Sequence, residues 1–128
     1  MNESSRYWID LAAYDLDTAH VLLQGGRYLY VGFLCHLVAE KSLKAHFAAL
    51  KDSVPPYTHN LRKLAEESGA YLKMSDEQKD LLDVLQPLNI EARYPTHKEK
   101  LSRALTEAFS RRLLHDTGVF YEWIKQQL

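Results

Sequence analysis

The side chains best suited to phosphate chemistry are concentrated in one short segment, Arg93-Tyr94-Pro95-Thr96-His97. A guanidinium group offers a planar fork of donors that fits phosphate oxygens, and an imidazole exchanges a proton near neutral pH. The segment also leads into a predicted helix, whose first free N–H groups and dipole attract anions. The segment therefore predicts a site for a nucleotide or RNA phosphate, with Arg93 and Tyr94 as contacts.

This segment leaves a catalytic and a structural interpretation open. In the catalytic one, the chain cleaves RNA without a metal: His97 deprotonates the 2′-hydroxyl and Arg93 stabilises charge at the phosphorus centre. In the structural one, Arg93 pairs with Glu40 or Asp15, and His97 only decorates the start of the helix.

Other charged and polar residues are candidates for the same site or for the core. His59 follows a Pro-Pro loop, where it either bonds to a helix cap or contacts the ligand. Lys44 is a further candidate for phosphate contact, and it stands one helical turn after Glu40, as an i,i+4 ion pair requires. Asp15, Glu40 and Lys41 lie on largely apolar helix faces, which predicts a structural polar core.

The sequence lacks the motifs of several other kinds of site. Its six histidines are scattered, and none belongs to a His-Glu-x-x-His zinc pair or to the repeated step of a di-metal bundle. Gly25-Gly26 is not followed by the Lys-Ser/Thr of a Walker loop, and no arrangement typical of acyl transfer is present. We therefore predict no metal and no cofactor.

Length and composition indicate one globular domain, residues 1–128, because 46% of the 128 residues are hydrophobic and 26% are charged. A formal net charge of −1 argues against the broad basic footprint of a DNA-binding protein. No apolar run reaches the ~20 residues that span a bilayer, and the N-terminus lacks a signal-peptide pattern. We expect a soluble, cytoplasmic protein without a membrane or DNA partner, in which the single cysteine, Cys35, is a buried structural thiol.

Helices are predicted to carry all of these residues, because apolar side chains recur every three to four positions and no strand-like alternation is sustained. The first two expected helices run from residue 4 or 5 to 23 or 24 and from 28 to 49. A short third helix follows, from a cap at Thr58 to Gly69. The last two begin at capping boxes, one from Ser75–Gln78 to about Pro87 and one from Thr96–Glu99 to about Gln126. The second is apolar on most faces, which predicts the central helix. Gly118, inside the last helix, either permits close packing or loosens the last turns. This order is typical of an all-α, up-and-down bundle of four to five helices.

Four patterns, in this order, resemble the HEPN domain family (higher eukaryotes and prokaryotes nucleotide-binding). They are residues 12–19, residues 32–45, His59-Asn60-Leu61 with Leu64, and Ala92-Arg93-Tyr94-Pro95. The resemblance covers roughly residues 5 to 124. It implies a four- to five-helix bundle that commonly forms homodimers.

The resemblance also implies partners and an activity. Many small prokaryotic HEPN proteins are encoded beside a minimal nucleotidyltransferase as toxin–antitoxin pairs, and several groups are metal-independent ribonucleases with an Arg-x4-6-His motif. Here three residues separate Arg93 from His97, and Glu99 replaces a tyrosine of some toxin members. The expected function is binding of a nucleotide or RNA phosphate by a homodimer that works with a nucleotidyltransferase. The alternatives are a ribonuclease toxin and a purely structural interaction module.

Overall fold

All regular structure in the described part of the chain is helical. The structure, a computed structural model, describes residues 1–89 and 95–128, without the side chains of 95–97. Its α-helices are α1 (Glu3–Gln24), α2 (Tyr28–Lys51), α3 (Leu61–Glu67), α4 (Asp76–Leu85), α5 (Pro95–Ala104) and α6 (Glu107–Gln127), with single 3-10 turns at Tyr71–Lys73 and Gln86–Leu88. The predicted all-α bundle is confirmed. None of the described helices combines the length and apolar character needed to cross a membrane.

The helix α2 is the centre of the bundle. It contacts each of the other five α-helices, and 13 of its 24 residues are buried. In α1, by contrast, five of 22 residues are buried, all on one side. Because apolar residues cover nearly every face of α2, this helix gains most by lying inside. The sequence-based expectation of a central second helix is confirmed.

The turn between α1 and α2 is closed by glycine. Gly26 has a φ of +72°, a left-handed conformation that costs glycine little. The N–H groups of Gly26 and Arg27 bond to the carbonyl groups of Leu23 and Leu22, so the end of α1 is satisfied. The predicted stop at Gly25-Gly26 is therefore confirmed.

The caps of α3 and α4 follow the predicted chemistry with one correction. Asn60, rather than Thr58, caps α3, because the Asn60 side chain accepts a hydrogen bond from the Lys63 N–H at 3.0 Å. Thr58 instead accepts a hydrogen bond from the Asn60 N–H at 3.1 Å, which fixes the turn before the helix. The predicted capping box of Ser75 and Gln78 is present at the start of α4.

The prediction of a single helix after Arg93 is wrong in two respects. The structure has two helices in this part of the chain: α5 ends at Ala104, and Thr106 caps α6 by accepting a hydrogen bond from the Phe109 N–H at 3.2 Å. Helix α5 also begins at Pro95, one residue before the predicted cap, and proline suits a first helical position because it has no N–H to leave unpaired.

Close packing in the bundle occurs at Gly32 rather than at Gly118. A β-carbon on Gly32 would lie 3.0 Å from Cδ1 of Leu105, the buried residue between α5 and α6. A β-carbon on Gly118 would meet no atom within 4 Å. Of the two predicted roles for Gly118, the structure therefore excludes close packing.

Cys35 is a structural thiol, as predicted. Its side chain is fully buried on α2, and burial raises the pKa of the thiol to about 12. The group therefore stays protonated at neutral pH and lacks the reactivity of a thiolate.

Candidate functional site

One face of α2 carries three ionisable side chains at successive turns: His36, Glu40 and Lys44. Their exposed fractions are 0%, 3% and 7%. Lys44 Nζ donates a hydrogen bond to Glu40 Oε2 at 3.0 Å, and the same ammonium group lies 5.1 Å from the centre of the Trp8 ring. The i,i+4 pair expected from the spacing of Glu40 and Lys44 is thus formed inside the protein.

The second oxygen of Glu40 holds His59, which lies in the loop before α3. Glu40 Oε1 accepts a hydrogen bond from His59 Nδ1 at 2.7 Å. Because a carboxylate only accepts, Nδ1 carries the proton. The side chain of His59 is 50% exposed, whereas that of Glu40 is 4% exposed. A buried carboxylate therefore orients an imidazole that reaches the surface.

Two further side chains fix the backbone of His59. Its carbonyl oxygen accepts a hydrogen bond from His36 Nε2 at 3.2 Å and another from Gln86 Nε2 at 3.1 Å. Gln86 Oε1 in turn accepts from the Leu61 N–H at 2.8 Å, which ties the start of α3 to the turn after α4. Because His36 uses Nε2 as a donor, its neutral ring leaves Nδ1 without a hydrogen, 3.9 Å from Glu40 Oε1.

The predicted polar core is divided between two places. Lys41 Nζ donates to Asp15 Oδ2 at 2.6 Å and so joins α2 to α1, with both side chains partly exposed. Glu40 instead belongs to the cluster with Lys44 and His59. A surface-near pair of the Lys41–Asp15 kind contributes about 1 kcal/mol or less, so its main effect is on how the two helices fit together.

The structure describes only some of the predicted phosphate contacts. Arg93 and Tyr94 lie outside the described residues, as does the side chain of His97, so their assigned roles stay predictions. Lys44 is placed inside the protein, where its ammonium group is bonded to Glu40. Of the predicted phosphate contacts in the described part of the chain, His59 is the one with a half-exposed side chain.

His36 and Gln86 are the residues of this cluster that the sequence did not identify. His36 stands one turn before Glu40, and this spacing was a usable signal for a shared polar face. Gln86 offered no signal, because its bonds to backbone groups of His59 and Leu61 leave no pattern in residue types. In the described residues, no group of three His, Cys, Asp or Glu side chains is placed to hold a metal ion.

Buried histidines are expected to make the fold less stable in mild acid. Burial lowers the pKa of His36, against the opposing charge of Glu40, and burial together with the charge of Lys73 lowers the pKa of His46. The unfolded chain therefore binds more protons, so stability is full above pH ~6.5 and is lost as the pH falls below it. We expect urea unfolding to show a slope of up to about 1.4 kcal/mol per pH unit for each histidine.

A single substitution tests this pH dependence without touching the candidate site. His46→Gln should remove its own share and so reduce the loss of stability between pH ~6.5 and pH ~5, whereas His115→Gln, at an exposed position of α6, should leave it unchanged. An unfolding free energy that is constant over this range in the wild-type chain contradicts the assignment.

In its described part the protein is an all-helical bundle with a carboxylate-oriented imidazole in the loop before its third helix. A family model of the HEPN domain matches residues 5–127, so the chain belongs to the HEPN domain family. The resemblance noted in the sequence is thus confirmed.

A solved structure shows the same fold. The crystal structure of TT1696 from Thermus thermophilus matches with a TM-score of 0.84 over 99% of this chain and 100% of that chain, at 20% sequence identity. The TM-score establishes a shared architecture, and a sequence identity this low establishes nothing about activity. No curated protein matches the sequence.

Proposed function

We propose that this HEPN-domain protein binds the phosphate of a nucleotide or of RNA, with His59 as a contact alongside Arg93 and Tyr94. The observation that carries the proposal is the 2.7 Å bond from His59 Nδ1 to the buried Glu40, on a ring that is half exposed. An imidazole held by its Nδ1 edge directs Nε2 away from the carboxylate. A protonated Nε2 donates a charged hydrogen bond to a phosphate oxygen.

The arrangement around His59 goes further than a purely structural role requires. Glu40 and Lys44 already neutralise each other's charge, and a buried ion pair of this kind contributes little net stability. The cluster nevertheless includes the buried His36 and the partly exposed Gln86, both bonded to the His59 carbonyl oxygen. Fixing the backbone and the ring together is what a binding residue needs, because it lowers the ordering cost when the ligand arrives.

Binding measurements with matched histidine variants test this proposal. Labelled AMP and a short labelled RNA are titrated with the wild-type chain, His59→Ala, Arg93→Ala and the control His115→Ala. We expect about tenfold weaker binding for His59→Ala and for Arg93→Ala, since a charged hydrogen bond contributes about 1.5–3 kcal/mol. The control should bind as the wild type does. Equal affinities in all four proteins, or no binding to either ligand, would refute the proposal.

A metal-independent ribonuclease is the second candidate, and the same Glu40–His59 pair favours it. A carboxylate on Nδ1 fixes the ring so that Nε2 exchanges a proton with substrate. In such cleavage one imidazole takes the proton of the 2′-hydroxyl as its oxygen attacks phosphorus. A second imidazole protonates the departing 5′-oxygen, and Arg93 stabilises the phosphorane charge. His97 and His59 are the two imidazoles of this proposal.

Cleavage in the presence of a chelator separates the two candidates. A ribonuclease degrades RNA with EDTA present and loses at least about 100-fold in rate in His59→Ala or His97→Ala. A pure binding protein leaves the RNA intact under the same conditions while still binding it.

A minimal nucleotidyltransferase partner, a homodimeric state and a cytoplasmic location are part of the same proposal. Membership of the HEPN family and the partners implied by the sequence resemblance support them. Co-expression with a nucleotidyltransferase encoded next to this chain, followed by sedimentation, tests both the complex and the oligomeric state. A monomer that does not co-purify with that protein would contradict both the homodimer and the partnership.

A further inference from the structure

The outer face of α1 carries a strict heptad pattern on exposed positions. Six exposed side chains follow the spacing 4-3-4-3-4 along the helix: Glu3, Tyr7, Asp10, Tyr14, Asp17 and Val21. Acidic residues alternate with large apolar ones throughout. The apolar members, Tyr7, Tyr14 and Val21, are 60%, 72% and 67% exposed. A seven-residue repeat is the period at which one helix follows another, so the apolar side chains of this face recur where a second helix would meet them.

The buried face of α1 already packs on the bundle and does not account for this pattern. It is formed by Ile9, Ala12, Ala19 and Leu23, which lie on the side facing α2. Single apolar side chains on a surface are ordinary. Three in heptad register on one helix are different, because they recur along one line of the helix at the period with which a second helix meets it, and tyrosine is enriched in protein interfaces.

The carboxylates on the outer face of α1 are not neutralised by basic side chains in the described part of the chain. Asp15, on the inner side of α1, is paired with Lys41. The outward carboxylates of Glu3, Asp10 and Asp17 form no ion pair with a described residue. Because Arg6 is the single Lys or Arg of α1, this face is clearly negative.

We propose that the outer face of α1 is a docking surface for a basic amphipathic helix of a partner protein. Apolar side chains of that helix would pack on Tyr7, Tyr14 and Val21, and lysine or arginine at the alternate positions would face the three carboxylates. This is the recognition of one helix by another through apolar anchors at seven-residue spacing, with charge setting the choice of partner.

The charge pattern favours such a partner over two other occupants. A second copy of α1 packed on this face would bring three carboxylates from each helix into one seam, with only Arg6 from each to balance them. A nucleic acid would be repelled by the same carboxylates. The proposal does not rest on the phosphate site, whose described residues lie on α2, in the loop before α3 and in the turn after α4.

Two synthetic helices serve as probes for this surface. Each has about three heptads with leucine at the positions that face Tyr7, Tyr14 and Val21. One carries lysine at the alternate positions and the other carries glutamate there. Binding of each labelled peptide to the full chain is followed by fluorescence anisotropy at low and high salt. We expect the lysine peptide to bind at least about tenfold more tightly than the glutamate peptide, with the difference shrinking at high salt.

Charge reversal supplies the matched variants. Asp10→Lys with Asp17→Lys should invert the preference, so that the glutamate peptide binds about tenfold more tightly than the lysine peptide. A control makes the same change of charge elsewhere, with Glu67→Lys on α3 and Asp80→Lys on α4, both exposed. The control should keep the wild-type preference, and circular dichroism should show unchanged helix content in both variants.

Several results would overturn the proposal. One is equal binding of the two peptides to the wild-type chain, or no binding of either. Another is a loss of preference in the control that matches the loss in the α1 variant, because that would indicate only a response to net charge. A third is a wild-type dimer that dissociates on Asp10→Lys with Asp17→Lys, which would assign this face to a second copy of the chain.

Discussion

Glu40→Ala is expected to lower the free energy of unfolding by about 3–5 kcal/mol, because it leaves the buried ammonium group of Lys44 without a counter-charge. Glu40 is the residue that joins the cluster, bonding to Lys44 through one oxygen and to His59 through the other. Urea unfolding at pH 7.5 followed by circular dichroism measures the change.

A double variant distinguishes loss of pairing from loss of packing. Glu40→Leu combined with Lys44→Met replaces both charges by apolar groups of similar size, and such replacements are often neutral or stabilising. We expect the double variant to recover most of the stability that Glu40→Ala loses. A Glu40→Ala protein that unfolds at the wild-type urea concentration would contradict the buried pair described above.

Gly32→Val is expected to destabilise the fold by about 2–3 kcal/mol, because the added carbons overpack the contact between α2 and the break that separates α5 from α6. A β-carbon at this position already lies 3.0 Å from Leu105 Cδ1 and 3.4 Å from Leu88 Cδ1. Thermal and urea unfolding of the purified variant measure the loss.

Gly118→Ala is the matched control, since it also replaces a glycine inside a helix. No atom lies within 4 Å of the new methyl group, so the change should stabilise α6 by about 0.5–1 kcal/mol through helix propensity alone. If both substitutions change stability in the same direction, the close approach of Leu105 to Gly32 is wrong.

Local signals in the sequence were enough for most of the helices but missed one break. Glycines at the end of α1 and the capping box of α4 mark ends through short-range chemistry that residue types reveal. The break after α5 was missed because Leu101, Leu105 and Ala108 continue the helical spacing through it. Thr106, the cap of α6, was a local signal for this break that the periodicity obscured, whereas the packing of Leu105 against Gly32 is a long-range contact that residue types do not show.

The candidate site was predictable where it lies on one helix and unpredictable where the fold assembles it. The Glu40–Lys44 pair follows from a four-residue spacing. The bond between Glu40 and His59 joins residues 19 positions apart through a loop, and the path of that loop depends on tertiary packing. The donation from Gln86 to the His59 carbonyl oxygen is hidden for a second reason, since any residue type supplies a carbonyl group.

Nitrogen NMR of the His59 ring tests most directly whether Glu40 orients this imidazole toward a phosphate. The chain, labelled with nitrogen-15 at histidine, is titrated with AMP and with a short RNA through the millimolar range. We expect His59 Nδ1 to be protonated throughout, the Nε2 resonance to shift as ligand binds, and the His115 resonances to stay in place. Glu40→Gln should weaken this response. A His59 Nε2 resonance that never moves, or moves only together with that of His115, would contradict phosphate recognition by this site.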